Sequence, residues 1–192
     1  MTGSPRRSDL PLAFRLNAER LSATWRRRLG ATSTCRLDTD ALVQEIGLPL
    51  LALTELAHEV PQAAYRLYTS DSNKFSAAAV CDSTQALAVV YNDGHEAPRQ
   101  RADIAHECAH LILGHQPTAV FDEAGLRVYP EALEAEASWL GPTLLVPRAG
   151  LITVLEREPR LEAAAKHFDV SIQLARFVYN TRGCKQHVRL AA

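Results

Sequence analysis

The sequence predicts an α+β fold, mainly helical, with a small antiparallel β-sheet beside one central helix and a helical C-terminal part. Three observations predict it. Stretches with apolar residues at helical spacing occupy both ends of the chain. Short β-like segments are gathered in the middle, at 63–68, 77–81 and 86–91. Between them and the C-terminal helices runs Ile104-Ala-His106-Glu107-Cys108-Ala-His110-Leu-Ile-Leu113, apolar at its flanks and free of proline.

Taken in order, residues 1–9 are polar and punctuated by Ser4-Pro5, and are expected to be disordered, so that a single domain spans 10–192. Helices fit 12–29 and 39–48, the second with Asp38 as N-cap and Gly47-Leu48-Pro49 as its stop. A further helix fits 50–59 ahead of Pro61, and Asp82-Ser83-Thr84 is the expected turn between the last two β-like segments. The central helix should end at Gly114. A following helix holds Glu131, Glu134 and Glu136 alongside an apolar stripe of Leu133, Ala137 and Leu140, and Pro142 predicts a kink or end near 139–141. Residues 155–183 read as a helical part whose stretch from Leu161 to Asn180 follows a helix, turn, helix pattern.

The chemistry is announced by His106-Glu107-Cys108-Ala109-His110. At about 3.6 residues per turn the two imidazoles share one helical face, as two ligands of one tetrahedral ion must. Glu107 lies about 100° round the helix, beside such an ion rather than on it, where a carboxylate can act as a base. A hydrogen-bonded polar spot on a buried helix is the bland alternative. Zinc catalysis needs a third protein ligand. His115 does not fit the longer motif with a third His, since Gly114 and His115 are each displaced by one position. The acidic helix at 131–140 is the other source. There Glu136 borders the apolar stripe, while Glu134 points about 200° away from it.

The run Arg99-Gln-Arg-Ala-Asp-Ile-Ala-His-Glu-Cys-Ala-His110 resembles the R-Q-R-F-T-[LI]-A-H-E-[LI]-G-H block of the ImmA/IrrE family of metallopeptidases. The run Glu134-Ala-Glu-Ala-Ser-Trp-Leu-Gly-Pro-Thr-Leu-Leu-Val-Pro147 resembles that family's E-x-E-A-N-x-F-A-x-x-L-L-M-P. The resemblance spans roughly residues 50–183 and departs at Ala102, Asp103, Ala109 and Leu140-Gly141, none of them a ligand or base position. It implies a zincin-like core with Zn²⁺ held by His106, His110 and Glu136, with Glu134 as the fallback, and with Glu107 as catalytic base. It further implies cleavage of a protein partner, an Xre-type helix-turn-helix repressor, within a stress-response or mobile-element regulatory system. A repressor-binding protein that does not cut, or a toxin–antitoxin component, is the alternative reading.

Composition excludes other classes. The 192 residues are 47% hydrophobic with net charge −1, which suits one compact domain with a real core. No apolar run is long enough to span a membrane and the N-terminus lacks an apolar signal core, so a cytoplasmic location is expected. Cys35, Cys81, Cys108 and Cys184 form no C-x-x-C pair, which argues against a disulfide framework, and Cys108 lies about 180° from the ligand directions. Arg26-Arg27-Arg28 shares its stretch with an apolar stripe of Leu21, Trp25 and Leu29, so the arginines are assigned to solvent. The C-terminal helices carry only Lys166, Arg176 and Arg182 against Glu162 and Asp169, thin for phosphate contacts, and no direct nucleic-acid binding is expected. His95 reads as a surface residue, Arg99 and Arg101 as structural ion pairs, and Tyr129, His115 and His167 as candidates for a second polar group at the site.

Overall fold

A computed structural model describes residues 10–59, 75–81, 87–115 and 129–191. The predicted disordered N-terminus, the β-like segment 63–68 and the turn at 82–84 lie outside them. The chain runs α1 (Leu12–Arg28), α2 (Thr39–Ile46), β1 (Leu50–Ala52), α3 (Leu53–Glu59), β2 (Ala77–Cys81), β3 (Leu87–Tyr91), α4 (Ala97–Leu113), α5 (Glu131–Leu145), α6 (Arg148–Arg157), α7 (Leu161–Phe168) and α8 (Ile172–Thr181), then a short 3₁₀ turn at Cys184–Gln186.

Local signals set most boundaries. Asp38 Oδ1 accepts from the Asp40 and Ala41 N–H groups at 3.0 Å each, capping α2, and Gly47 closes it in the left-handed conformation at φ 90°. Gly114, φ 67°, closes α4 in the same way. Ser171 caps α8 by accepting from the Leu174 N–H.

The sheet departs from expectation. Its order is β1-β3-β2, with β2 antiparallel to β3 and β1 parallel to β3, so it is mixed rather than antiparallel. The cause is the segment 50–59, read from sequence as one helix. Its first three residues, Leu50–Ala52, pair with Val89–Tyr91, and the helix begins only at Leu53. The Pro49 carbonyl, just before the strand, accepts the Val89 N–H at 2.9 Å and extends the ladder to β3.

Helix α5 also differs, running unbroken from Glu131 to Leu145 with Pro142 inside it. Only one intrahelical N–H is lost, and neighbouring side chains serve the carbonyls of the last turns. Ser22 Oγ donates to the Thr143 carbonyl at 2.8 Å, Arg26 Nη1 to that of Leu144 at 3.0 Å, and Arg182 Nη2 to that of Trp139 at 2.8 Å. Arg26 is therefore buried at 1% exposure, not the solvent-facing residue its Arg-Arg-Arg run predicts. It also donates to the carbonyls of Thr32 and Cys35, tying α1 to the following loop as well as to α5. Arg27 and Arg28 remain outside the core.

One apolar core joins these helices. Ala18 of α1, Leu42 and Val43 of α2, Val89, Ile104, Ala105 and Ala109 of the central region, and Leu140, Leu144 and Leu145 of α5 belong to it, as do Leu151, Leu155, Phe168, Ala175 and Val178 from α6 to α8. A smaller cluster of Leu53, Phe75 and Val90 lies on the β1–β3 side. No single helix among the described residues is long and apolar enough to cross a membrane.

Candidate metal centre

Helix α4 lies between the sheet and α5, and its two faces carry the two halves of the site. Its entry is fixed by polar contacts: Gln100 Nε2 donates to the carbonyls of Asp93 and His95, and Asn92 Nδ2 to that of Phe75 at 2.9 Å. His95, expected at the surface, is instead largely enclosed, with Nδ1 3.6 Å from Asp103 and Nε2 3.3 Å from Asn92 Nδ2. Arg99 lies 3.7 Å from Asp103, and Arg101 donates to the Leu37 carbonyl at 2.6 Å and reaches Asp169 at 3.5 Å. Arg99 pairs within α4 and also donates to Ser76 Oγ at 3.2 Å, while Arg101 ties α4 to the segment before α2, so both make structural contacts, in line with the structural reading.

On the α5 side, His106 and His110 point into the same space with Nε2 atoms 3.2 Å apart. Glu134 completes the group, its carboxylate oxygens 3.2 Å from His106 Nε2 and 3.6 Å from His110 Nε2. Ligands about 2.0–2.1 Å from a tetrahedral ion stand about 3.3 Å from one another. The two imidazole nitrogens and the Glu134 carboxylate are therefore close to the spacing of ligands around one ion, and two imidazoles with one carboxylate are donors suited to a divalent cation. The three residues are the one cluster of potential metal ligands among the described residues.

The third corner is thus Glu134, not Glu136. Glu136 turns to His115, 3.0 Å from its Nε2, and does not reach the two-histidine pair. The reason lies in the packing of α5. Its apolar stripe does not mark one face, because Ala135, Ala137, Trp139, Leu140, Gly141, Thr143, Leu144 and Leu145 are all buried. What orients the helix is Gly141: a Cβ there would sit 3.2 Å from the Ala105 carbonyl oxygen and from the His106 backbone. Seven residues apart, Glu134 and Gly141 lie within about 20° on the helix, so the close approach at Gly141 turns Glu134 towards α4. Gly141 is the sequence signal for this close approach, next to the Pro142 from which a kink or helix end is expected.

Glu107 faces the sheet. It is 9% exposed, and its Oε2 accepts the Ala79 N–H of β2 at 3.1 Å. Burial pushes its carboxyl up to about 7, against the opposing pull of His106 and of the Ala79 hydrogen bond. Glu134 moves the other way, down to about 2, chiefly because it accepts a hydrogen bond from His106, with the His110 ring close beside it. Burial lowers His110 although Glu134 pulls it upward, which favours the neutral imidazole that a metal ligand requires. Cys108 is fully enclosed on the opposite side, its thiol pushed up to about 12 by burial, a packed side chain rather than a ligand.

Of the three candidates for an additional polar group, two reach the centre. Tyr129 stacks on the His110 ring at 3.7 Å between centroids, and His115 Nδ1 lies 3.0 Å from His110 Nδ1. His167 is elsewhere, 2.7 Å from the Thr34 carbonyl.

Residues 62–178, well over half of the chain, match the family model described as the IrrE N-terminal-like domain, of peptidase family M78. The chain belongs to the ImmA/IrrE family. The match bears out the resemblance read from the two sequence blocks, and it contains His106, Glu107, His110 and Glu134. A comparison with curated proteins found no match. For an ImmA/IrrE chain the peptidase function is that of the family, and the cluster of His106, His110 and Glu134 gives it a place to hold a metal ion. Helices α1 and α2 precede the matched region, yet Ser22 and Arg26 of α1 secure the end of α5.

Proposed function

We propose that this ImmA/IrrE-family protein is a zinc-dependent endopeptidase whose substrate is a helix-turn-helix repressor of the Xre type, cut to induce a stress-response or mobile-element regulon in the cytoplasm. The observation that carries the peptidase reading is the convergence of His106, His110 and Glu134 with a buried Glu107 on the next face of the same helix. The repressor comes from the family resemblance, and the cytoplasmic setting fits cysteines 35, 108 and 184 being unpaired.

A zinc ion held by His106, His110 and Glu134 supplies Lewis acidity towards a peptide carbonyl and makes water more acidic. The chain's own residues do the rest. Glu107 takes the proton of the attacking water and returns it to the departing amine; its proton affinity, raised by burial, suits a group that must do both near neutral pH. The Ala79 N–H holds the Glu107 carboxylate in one orientation from the sheet side. His106 and Glu134 are part-exposed, at 27% and 44% of their side chains, so a substrate strand can approach from their side while His110 at 1% stays behind.

The test is a comparison of new protein N-termini in cells making the wild type and the Glu107→Gln variant, which keeps the ligands and removes the base. The expected result is a cut within a helix-turn-helix repressor, reproduced with purified proteins plus zinc, abolished by chelator and slowed at least about 10²-fold by Glu107→Gln. A Glu107→Gln protein that cuts at the wild-type rate would sink the mechanism.

A further inference from the structure

The Glu136–His115 pair displaced from the metal triangle has its own use. His115 is the residue after Gly114, whose left-handed conformation folds the chain back so that the His115 N–H donates to the His110 carbonyl at 3.0 Å. The His115 ring then stands against that of His110, with the two Nδ1 atoms 3.0 Å apart, and its Nε2 is 3.0 Å from Glu136 Oε2. The His115 side chain is 5% exposed and that of His110 1%, so solvent offers neither ring a ready alternative partner.

Two ring nitrogens in hydrogen-bond contact need one donor and one acceptor. Were His115 the donor, His110 would carry its proton on Nε2, the atom turned to His106 and Glu134, and could not bind a cation there. Glu136 decides between the two arrangements, because a carboxylate only accepts. A neutral His115 that donates from Nε2 to Glu136 has a bare Nδ1, and that nitrogen can only accept from His110 Nδ1. His110 is then left with its lone pair on Nε2, facing the metal triangle. Tyr129 lies over the same ring at an interplanar angle of 22°, limiting its tilt.

We propose that Glu136 and His115 are positioning residues that fix the tautomer and ring plane of His110, so that Nε2 is presented to the metal ion. The proposal rests on the metal reading above. Both residues act through His110 and neither is a ligand. Outer hydrogen-bond partners of this kind typically contribute about 10–100-fold to metal affinity.

The experiment is zinc affinity of the full chain, by competition with a chromophoric chelator, for wild type, His106→Ala, His115→Ala, Glu136→Gln and the His115→Ala/Glu136→Gln double variant. Binding of zinc by the wild type and its loss in His106→Ala establish the triangle. Each single change behind it is expected to weaken zinc about 10–100-fold, with the double variant no weaker than His115→Ala alone, because the two act as one chain. In nitrogen-resolved spectra of the zinc-loaded wild type, His110 should carry its proton on Nδ1, and that signal should be lost or moved in Glu136→Gln. Glu136→Gln changes almost no volume on a part-exposed side chain, so it carries the test if His115→Ala does not fold. Wild-type affinity in both single variants, fully additive losses, or a His110 proton on Nε2 would overturn the relay while leaving the triangle intact. A wild type that binds no zinc would overturn the metal reading and the relay with it.

Discussion

Glu134 and Glu136 are two residues apart on one helix, and their surroundings give them opposite duties. Glu134 closes a triangle with two imidazoles, while Glu136 lies behind, against His115. Glu134→Ala is therefore expected to weaken zinc by more than the about 10–100-fold assigned to an outer partner. Equilibrium dialysis against buffered zinc checks this, and a Glu134→Ala protein that binds like wild type would remove Glu134 from the ligand set. The same carboxylate is expected to contribute to the acid stability of the metal-free protein. Its folded value of about 2 is below the ordinary 4.5, so as pH falls the unfolded chain takes up the proton first. Its contacts with the histidines stabilise the fold above pH 4.5 and are lost between 4.5 and 2. Denaturant unfolding in chelator across that range should fall more steeply for wild type than for Glu134→Gln; parallel curves would show that the contact adds nothing.

Helices α4 and α5 form the unit that makes the site, and Gly141 sets how closely they meet. The neighbours a side chain would strike there are backbone atoms of Ala105 and His106, which cannot swing aside as a flexible side chain would. Gly141→Val should destabilise the protein by about 1–3 kcal/mol, the usual cost of overpacking, and should also weaken zinc by moving His106 away from Glu134. Unfolding of the metal-free protein together with zinc titration separates the two effects, and a variant of wild-type stability would mean that the helices tolerate a wider spacing. At the same scale, α5 keeps its last turns past Pro142 because α1 and the C-terminal end send Ser22, Arg26 and Arg182 to its carbonyls. Arg26 and Arg182 are both buried, and burial lowers Arg26 to about 10 and Arg182 to about 9. The extra ring contact of Arg182, whose guanidinium carbon is 3.2 Å from the centre of the Trp139 ring, further secures the helix.

At the scale of the whole molecule, the metal triangle bridges α4 and α5 through the core that also holds α1, α2 and α6 to α8. An ion bound there stabilises only the folded chain, so zinc should raise the melting temperature of the stripped protein. At a free concentration about 100 times the dissociation constant the stabilisation is about 2.7 kcal/mol. Calorimetry with and without zinc measures it, and His106→Ala should show no shift. An unchanged wild-type melting temperature at saturating zinc would place the ion away from this bridge.

What the residues determined without a fold was chemistry and local form. His106 and His110 had to share a face because of helical pitch, Asp38, Gly47 and Gly114 had to cap or stop their helices because of their own hydrogen-bonding and φ preferences, and two sequence blocks sufficed for the family. What tertiary structure alone decided was direction. Which glutamate of α5 meets the histidines depends on a helix buried on most sides, where periodicity carries no bearing and the contact at Gly141 sets the rotation. Whether Leu50–Ala52 joins a helix or a parallel strand depends on β3, nearly 40 residues further on, offering it hydrogen bonds. Whether Arg26 meets water or the end of α5 depends on where α1 comes to rest. Local preference acts within a turn or two of the chain, whereas these choices are made by partners that only the completed packing brings within reach.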